Sequence, residues 1–264
     1  MIIEMVGAPG AGKTTLLVGI EDGCRAAGLT PVTVHDAARP FAARTILGRL
    51  VRRTVPTRRQ GQALWVVFRI ASGWHTLRAV IEAPAQTRHV LASQRRRPAA
   101  ADARGRRVVY WYLRTMGSRR FLLARARPDE VVVFDEGFVH RAVQLHSSSV
   151  ESPTRAQIAA YVADLPRPDL VVHVDASPEV CERRVQGRGV WARLDHRSPA
   201  EVHRFLLHAH ETIALVRAEL ERRGWAVIDI DNDGADPAAA VATLAREVAS
   251  RLVACRGGTA GQRG

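Results

Sequence analysis

The chain has 264 residues, of which 47% are hydrophobic and 25% charged, and a formal net charge of +13. That apolar content excludes a wholly disordered chain and suits one large α/β domain, or a core domain carrying an insertion. The charge favours anionic partners (phosphorylated small molecules, nucleic acid or an acidic membrane surface), although a compositional drift toward arginine is the plainer account, since of 39 basic residues only Lys13 is not an arginine.

MIIEMV reads as a short buried strand running into a glycine stretch, and TTLLVGIEDGCRAAG as a helix ended by Gly28. TPVTVHD is a second strand. From Pro40 to about Arg127 the pattern changes to long helical periodicities with arginine clusters and breaks at Pro56, Pro84 and Pro98. Inside that stretch RRRPAAADARGRR, residues 95–107, reads as an exposed, mobile loop between helices. EVVVFDEG supplies a third strand, its unbroken apolar run suited to burial on both faces. PDLVVHVDASPEVCERRVQGRG gives a fourth strand and a helix that starts after Ser177 and Pro178. SPAEVHRFLLHAHETIALVRAELERRG is a long helix, WAVIDID a fifth strand, and DPAAAVATLAREVASRLV a last helix with proline at its start. Strands alternating with helices predict an α/β fold: a five-stranded parallel sheet with helices on both faces and a helical insertion. Residues 1–39 and 128–255 are assigned to the core, 40–127 to an insertion forming part of an acceptor site or lid, and 256–264 to a disordered tail.

Cys24, Cys181 and Cys255 are scattered and form no CxxC, as expected of reduced cytosolic thiols. The start lacks the basic flank and long apolar run of a secretion signal. The most apolar later stretch, residues 63–81, contains Arg69, His75 and Arg78, which argue against a spanning helix. A cytoplasmic protein without a transmembrane segment is expected.

The single lysine lies in GAPGAGKTT, which matches G-x-x-x-x-G-K-[ST] at Gly7, Gly12, Lys13 and Thr14, between a predicted strand and a predicted helix. Gly7, Ala8, Pro9, Gly10, Ala11, Gly12, Lys13, Thr14 and Thr15 are the expected polyphosphate cradle. Glycines let successive backbone N–H groups turn inward at the positive end of a helix. Lys13 brings a compact ammonium on a thin stem, which a broad planar guanidinium replaces poorly; geometry therefore explains why lysine survives only here. The Thr14 hydroxyl can ligate Mg²⁺. ATP and Mg²⁺ are the expected cofactors.

Such a site needs a second anion at the end of a buried strand, and VVVFDEG offers Asp135, as a metal-shell and catalytic residue, with Glu136 beside it on the acceptor side. Asp36, at the end of the second predicted strand, is a candidate for accepting the acceptor's proton or steering the metal; the competing reading is a helix N-cap. His35 reads as a packing residue. Arg39 and Arg141 are candidate anion contacts for the acceptor. Arg183, Arg184, Arg188 and Arg193 cluster after the fourth strand, where arginines of this cluster are the expected catalytic cations closing over the transferring phosphoryl group.

PDLVVHVDASPEVCERRVQGRG, with the long helix and WAVIDID behind it, resembles the second half of thymidylate kinase and the related deoxynucleoside kinases. Together with the glycine motif the resemblance covers the first 36 or so residues and roughly 128–252. It implies a P-loop NTPase-type three-layer sandwich, ATP with Mg²⁺, and a lid bearing Arg184 and Arg188, with residues 231–233 bordering the adenine. Two family elements differ: HDAARP stands in place of an acidic Arg-Glu-Pro-Gly stretch, and DEGFVHR in place of an Asp-Arg-Tyr or Glu-Arg-Ser triplet.

The expected function is an ATP-dependent phosphotransferase acting on a small-molecule acceptor. A hydroxyl of a nucleoside-like or specialised metabolite is favoured, and a nucleoside monophosphate is the other acceptor considered. The alternative is a regulatory NTP-binding module whose basic insertion binds nucleic acid or an acidic membrane surface. Trp65, Phe68, Trp74, Tyr110, Trp111 and Tyr112 could stack bases but sit among aliphatic residues, as core residues do. A sulfotransferase shares only a shortened phosphate loop. Nucleic acid is not the partner expected of the kinase reading, and the insertion's apolar helices could pair in a homodimer.

Overall fold

The computed structural model describes residues 1–95, 102–148, 152–187, 198–234 and 236–260. Its strands are β1 (Ile2–Val6), β2 (Thr30–Thr33), β3 (Glu130–Phe134), β4 (Leu170–Asp175) and β5 (Val227–Asp231), forming one parallel sheet in the order β2-β3-β1-β4-β5. The α/β class and the five-stranded parallel sheet expected from the sequence are thus present. By its internal contacts the chain divides into two compact units, residue 1 with 32–134 and residues 2–31 with 135–264.

The first unit carries α2 (Val34–Ala43), α3 (Ile46–Thr54), α4 (Thr57–Glu82), α5 (Pro84–Arg95) and α6 (Asp102–Leu123). Its β-branched start, TPVTV, reads as strand, yet β2 ends at Thr33 and α2 begins directly after it. The Thr33 hydroxyl accepts the Asp36 amide (3.2 Å) and donates to the Asp36 carboxylate (2.6 Å), an N-cap that closes the strand early. Pro56 caps α4 and Pro84 opens α5, as the sequence breaks suggest; Pro98 lies outside the described residues. Of the expected loop over 95–107, Arg95 belongs to α5 and 102–107 to α6, and 96–101 lie outside the described residues. The two longest helices of this unit, α4 and α6, pack together around Phe68 and Phe121, whose rings meet edge-on with centroids 5.3 Å apart. Glu130 is buried and accepts Arg44 through both oxygens (Nη1 at 2.7 Å) together with the Arg127 amide at 2.8 Å, tying α2 to β3.

The second unit holds β1, β4 and β5 with α1 (Lys13–Ala26), α7 (Phe138–His146), α8 (Arg155–Ala163), α9 (Pro178–Gly187), α10 (Pro199–Arg222) and α11 (Pro237–Ala260). All five residues of β1 are buried, and alternate strand residues point to opposite faces, so both faces of the sheet are covered there. β1 pairs with β4 from Ile3 opposite Leu170 to Val6 opposite His173, and β4 with β5 down to Asp175 opposite Asp231. On β5 the burial alternates, and exposed Asp229 is held by Arg217 through two bonds of 2.7 Å. α1 packs on α11; α10 packs against α7, α8 and α9. Ser198 opens α10 with a capping box to Glu201. α11 continues to Ala260, so part of the segment read as a disordered tail is helical, and 261–264 lie outside the described residues. Among the described residues, no helix is long and apolar enough to cross a membrane.

Candidate functional site

Where β1 ends, the backbone of residues 7–12 turns tightly and delivers the chain to α1. Gly10 and Gly12 have φ of +90° and +96°, the left-handed region that side-chain-bearing residues avoid at a cost of roughly 1–2 kcal/mol. A Cβ at Gly12 would also overlap the side-chain amide of Asn232. Gly12 is the N-cap of α1, offers no side-chain cap, and no acidic residue follows in the first turn. The first intrahelical bond runs from the Leu16 amide to the Gly12 carbonyl at 3.1 Å, so the amides of Lys13, Thr14 and Thr15 precede any helical acceptor. These amides mark the positive end of the dipole of the 14-residue helix.

Lys13, the first residue of that helix, folds its side chain back over the loop, and Nζ donates to the carbonyls of Gly7 (2.8 Å) and Ala8 (3.1 Å). The loop is gripped from outside as well. Arg184 on α9 donates through Nη2 to the Asn232 carbonyl at 2.9 Å and reaches the Gly10 and Ala11 carbonyls at 3.5 Å. Asn232 is buried just beyond β5; its Nδ2 donates to the Ala11 carbonyl at 2.6 Å and its backbone amide to the Asp175 carbonyl at 2.8 Å. A carbonyl can only accept, so the amide nitrogen must face Ala11. Beside it Asp233 takes both the hydroxyl and the amide of Ser177 at 2.7 Å, and those bonds hold its carboxyl below the usual range. Cys181, under Gly10, has its thiol pushed up to about 11 by burial, which leaves it inert as a nucleophile at neutral pH.

Asp135 and Glu136 follow β3 and are exposed, and the Asp135 carboxylate accepts the Glu136 amide at 3.0 Å. Next comes Gly137, where a Cβ would collide with the buried carboxylate of Glu4. Glu4 Oε2 accepts the Val139 amide at 3.0 Å, capping α7 in place of the missing Gly137 side chain. Arg141 is buried on α7, with Nη1 donating to Gln144 at 2.7 Å. Asp36 and Arg39 belong to the first unit, both exposed on α2; Asp36 is in its first turn and not, as read from the sequence, at a strand end. Arg188 and Arg193 lie outside the described residues. The structure therefore brings together Lys13, the glycine loop and Arg184, and gives Asn232, which the resemblance placed only within the 231–233 stretch, a direct hold on the loop; Glu4, at Gly137, was not singled out in the sequence. Asn232 left one faint signal, a polar run DIDND closing a strand.

Among the described residues, no group of three or more His, Cys, Asp or Glu side chains could hold a metal by itself. Thr14 and Asp135, the magnesium ligands expected from the sequence, both carry exposed side chains. No family model matches the sequence, and a search of curated proteins finds no match.

Proposed function

We propose that the chain is an ATP-dependent phosphotransferase with a P-loop NTPase-type core related to the nucleoside and nucleotide kinases, acting in the cytoplasm on the hydroxyl of a small nucleoside-like or specialised metabolite. The observation that carries this reading is the loop itself. The only lysine of the chain is the first residue of an uncapped helix, preceded by two glycines in left-handed conformation and clamped by Arg184 and Asn232. A triphosphate offers Lys13 Nζ stronger acceptors than the Gly7 and Ala8 carbonyls it holds here, and the amides of residues 13–15 would bind the same oxygens. Thr14 and Asp135 would hold Mg²⁺, which when bound neutralises charge on the phosphates. Arg184 would keep the loop in its binding shape. Asp36, as acceptor of the hydroxyl proton, and Arg39, Glu136 and Arg141, as acceptor contacts, enter this reading from the sequence alone.

The test is a pooled screen of small-molecule acceptors with labelled ATP and Mg²⁺, run on the wild type and on Lys13→Ala. Transfer of label to a small molecule that disappears in the variant supports the proposal. Slow hydrolysis that ignores every acceptor leaves an NTP-binding module and overturns the kinase reading.

A further inference from the structure

Charge is divided unevenly between the two units. Residues 32–134 contain 21 arginines against five acidic residues, a net +16; the rest of the chain has 17 arginines, Lys13 and 21 acidic residues, a net −3. The basic unit also exposes apolar surface in a pattern. On α4 the exposed Val66, Ile70 (62%), Trp74 (61%), Leu77 and Ile81 (69%) fall within an arc of about 80° at about 100° per residue. Of the buried residues, Leu64, Phe68, Ser72 and Ala79 occupy the other side of the same helix, and Val67 lies beside the edge of the stripe. α4 is thus apolar on its core face and again on its outer face. Exposed Arg69 and Arg78 flank the outer stripe, one on each side. α3, which packs on α4, repeats the arrangement with Ile46 (78%), Leu47 and Leu50 exposed and Arg49 and Arg53 alongside.

We propose that the outer faces of α3 and α4 seat this unit on an anionic lipid surface, the stripe entering the headgroup boundary and the arginines meeting lipid phosphates. Three observations select this occupant. Ile46, Leu47, Leu50, Ile70, Leu77 and Ile81 are aliphatic, which suits acyl chains, whereas nucleic acid bases would find Trp74 as the one aromatic platform in the α4 stripe. Trp74 stands within the stripe, and exposed Tyr110 and Trp111 lie on α6, side chains favoured at the membrane–water boundary. A second copy docked face to face would bring a second unit of formal net charge +16 against the first, whereas an anionic bilayer complements it.

The experiment floats the full-length chain with phosphatidylcholine vesicles, with and without phosphatidylglycerol. Binding should be at least ~10-fold stronger on the anionic vesicles, weaken as salt is raised, and shift tryptophan emission to the blue. Ile70→Asp combined with Leu77→Asp should reduce binding ~10-fold or more while leaving the melting curve unchanged, since both side chains are exposed. Val253→Asp, the same change on exposed α11, should bind as the wild type. Trp74→Phe should bind and lose most of the blue shift. The proposal is overturned if neutral vesicles bind as well as anionic ones, or if the double aspartate variant floats undiminished. It is equally overturned if sedimentation shows a dimer that the double variant dissociates without affecting flotation, or if single-stranded RNA displaces the chain from vesicles and binds more tightly than they do.

Discussion

Asn232 is where the glycine loop can be loosened with one change. Asn232→Ala deletes the 2.6 Å donor to the Ala11 carbonyl and leaves the backbone bonds to Asp175 and Arg184 in place. Ala11 would keep only the long 3.5 Å approach of Arg184, and a buried carbonyl stripped of its partner costs about 1–3 kcal/mol. We expect urea denaturation to show a loss of about 2 kcal/mol, and calorimetry to show MgATP affinity falling about 10-fold, equivalent to ~1.4 kcal/mol, because part of the loop's shape must be restored on binding. Asn232→Asp should be worse at neutral pH, since an ionised carboxylate would face the Ala11 carbonyl oxygen and add negative charge beside the triphosphate. Burial and a hydrogen bond available only to the protonated acid both raise the folded carboxyl's pKa. This variant therefore regains stability as pH falls, opposite in sign to an ordinary paired carboxylate. An Asn232→Ala protein as stable and as tight-binding as the wild type would refute the clamp; so would an Asn232→Asp protein matching Asn232→Ala at pH 7.

Lys13→Arg should keep the fold, because the side chain is only half-buried, and lose at least about tenfold in MgATP affinity by calorimetry, the guanidinium fitting the cradle poorly. Gly137→Ala should cost about 1–3 kcal/mol by forcing the Glu4 carboxylate aside, and adding Glu4→Ala should change stability by less than the two single effects combined. Glu130→Gln should destabilise by about 3 kcal/mol, since Arg44 would remain without its charged partner. Arg44 holds the Glu130 carboxyl below its ordinary value of 4.5, so the contribution is complete above that pH and is lost as pH falls toward the depressed folded value. Denaturation of wild type and Glu130→Gln across acid pH should therefore converge.

What could be read from the sequence were features whose causes are local. The apolar runs of β1, β3 and β4, the glycine motif, and the Ser198 cap of α10 all announce themselves within a few residues. The segment behind Gly137 did not, because the cap of α7 comes from Glu4, 135 residues away, and nothing beside Gly137 signals a helix start. The hold of Asn232 on the glycine loop was hidden for the same reason, its partner Ala11 lying 221 residues distant. Asp36 was misplaced because β-branched residues suggested a longer strand, while the Thr33 cap outweighed them. The stripe on α4 was hidden differently. A helix apolar on two opposite sides shows no preferred face in its periodicity, so Trp74 read as core and only the folded unit reveals it outside.

The drift toward arginine that the composition suggested does not account for the charge of the helical unit. Replacing lysine by arginine conserves charge, and the second unit shows the drift in isolation: nearly all its basic residues are arginine, yet its net charge is −3. What distinguishes residues 32–134 is a scarcity of acid, five residues against 21 elsewhere. Fold stability does not demand that scarcity. Glutamate is as good a helix former as arginine on an exposed face, and opposite charges four residues apart would have stabilised α3 and α4 by a few tenths of a kcal/mol per pair. One acidic residue on α4, Glu82, sits at its very end, where Arg78 and Arg120 already pair with it. A surface that forgoes easy ion pairs and shows aliphatic side chains to the outside is explained by what it meets, and a layer of fixed negative charge above a hydrocarbon interior satisfies both features at once.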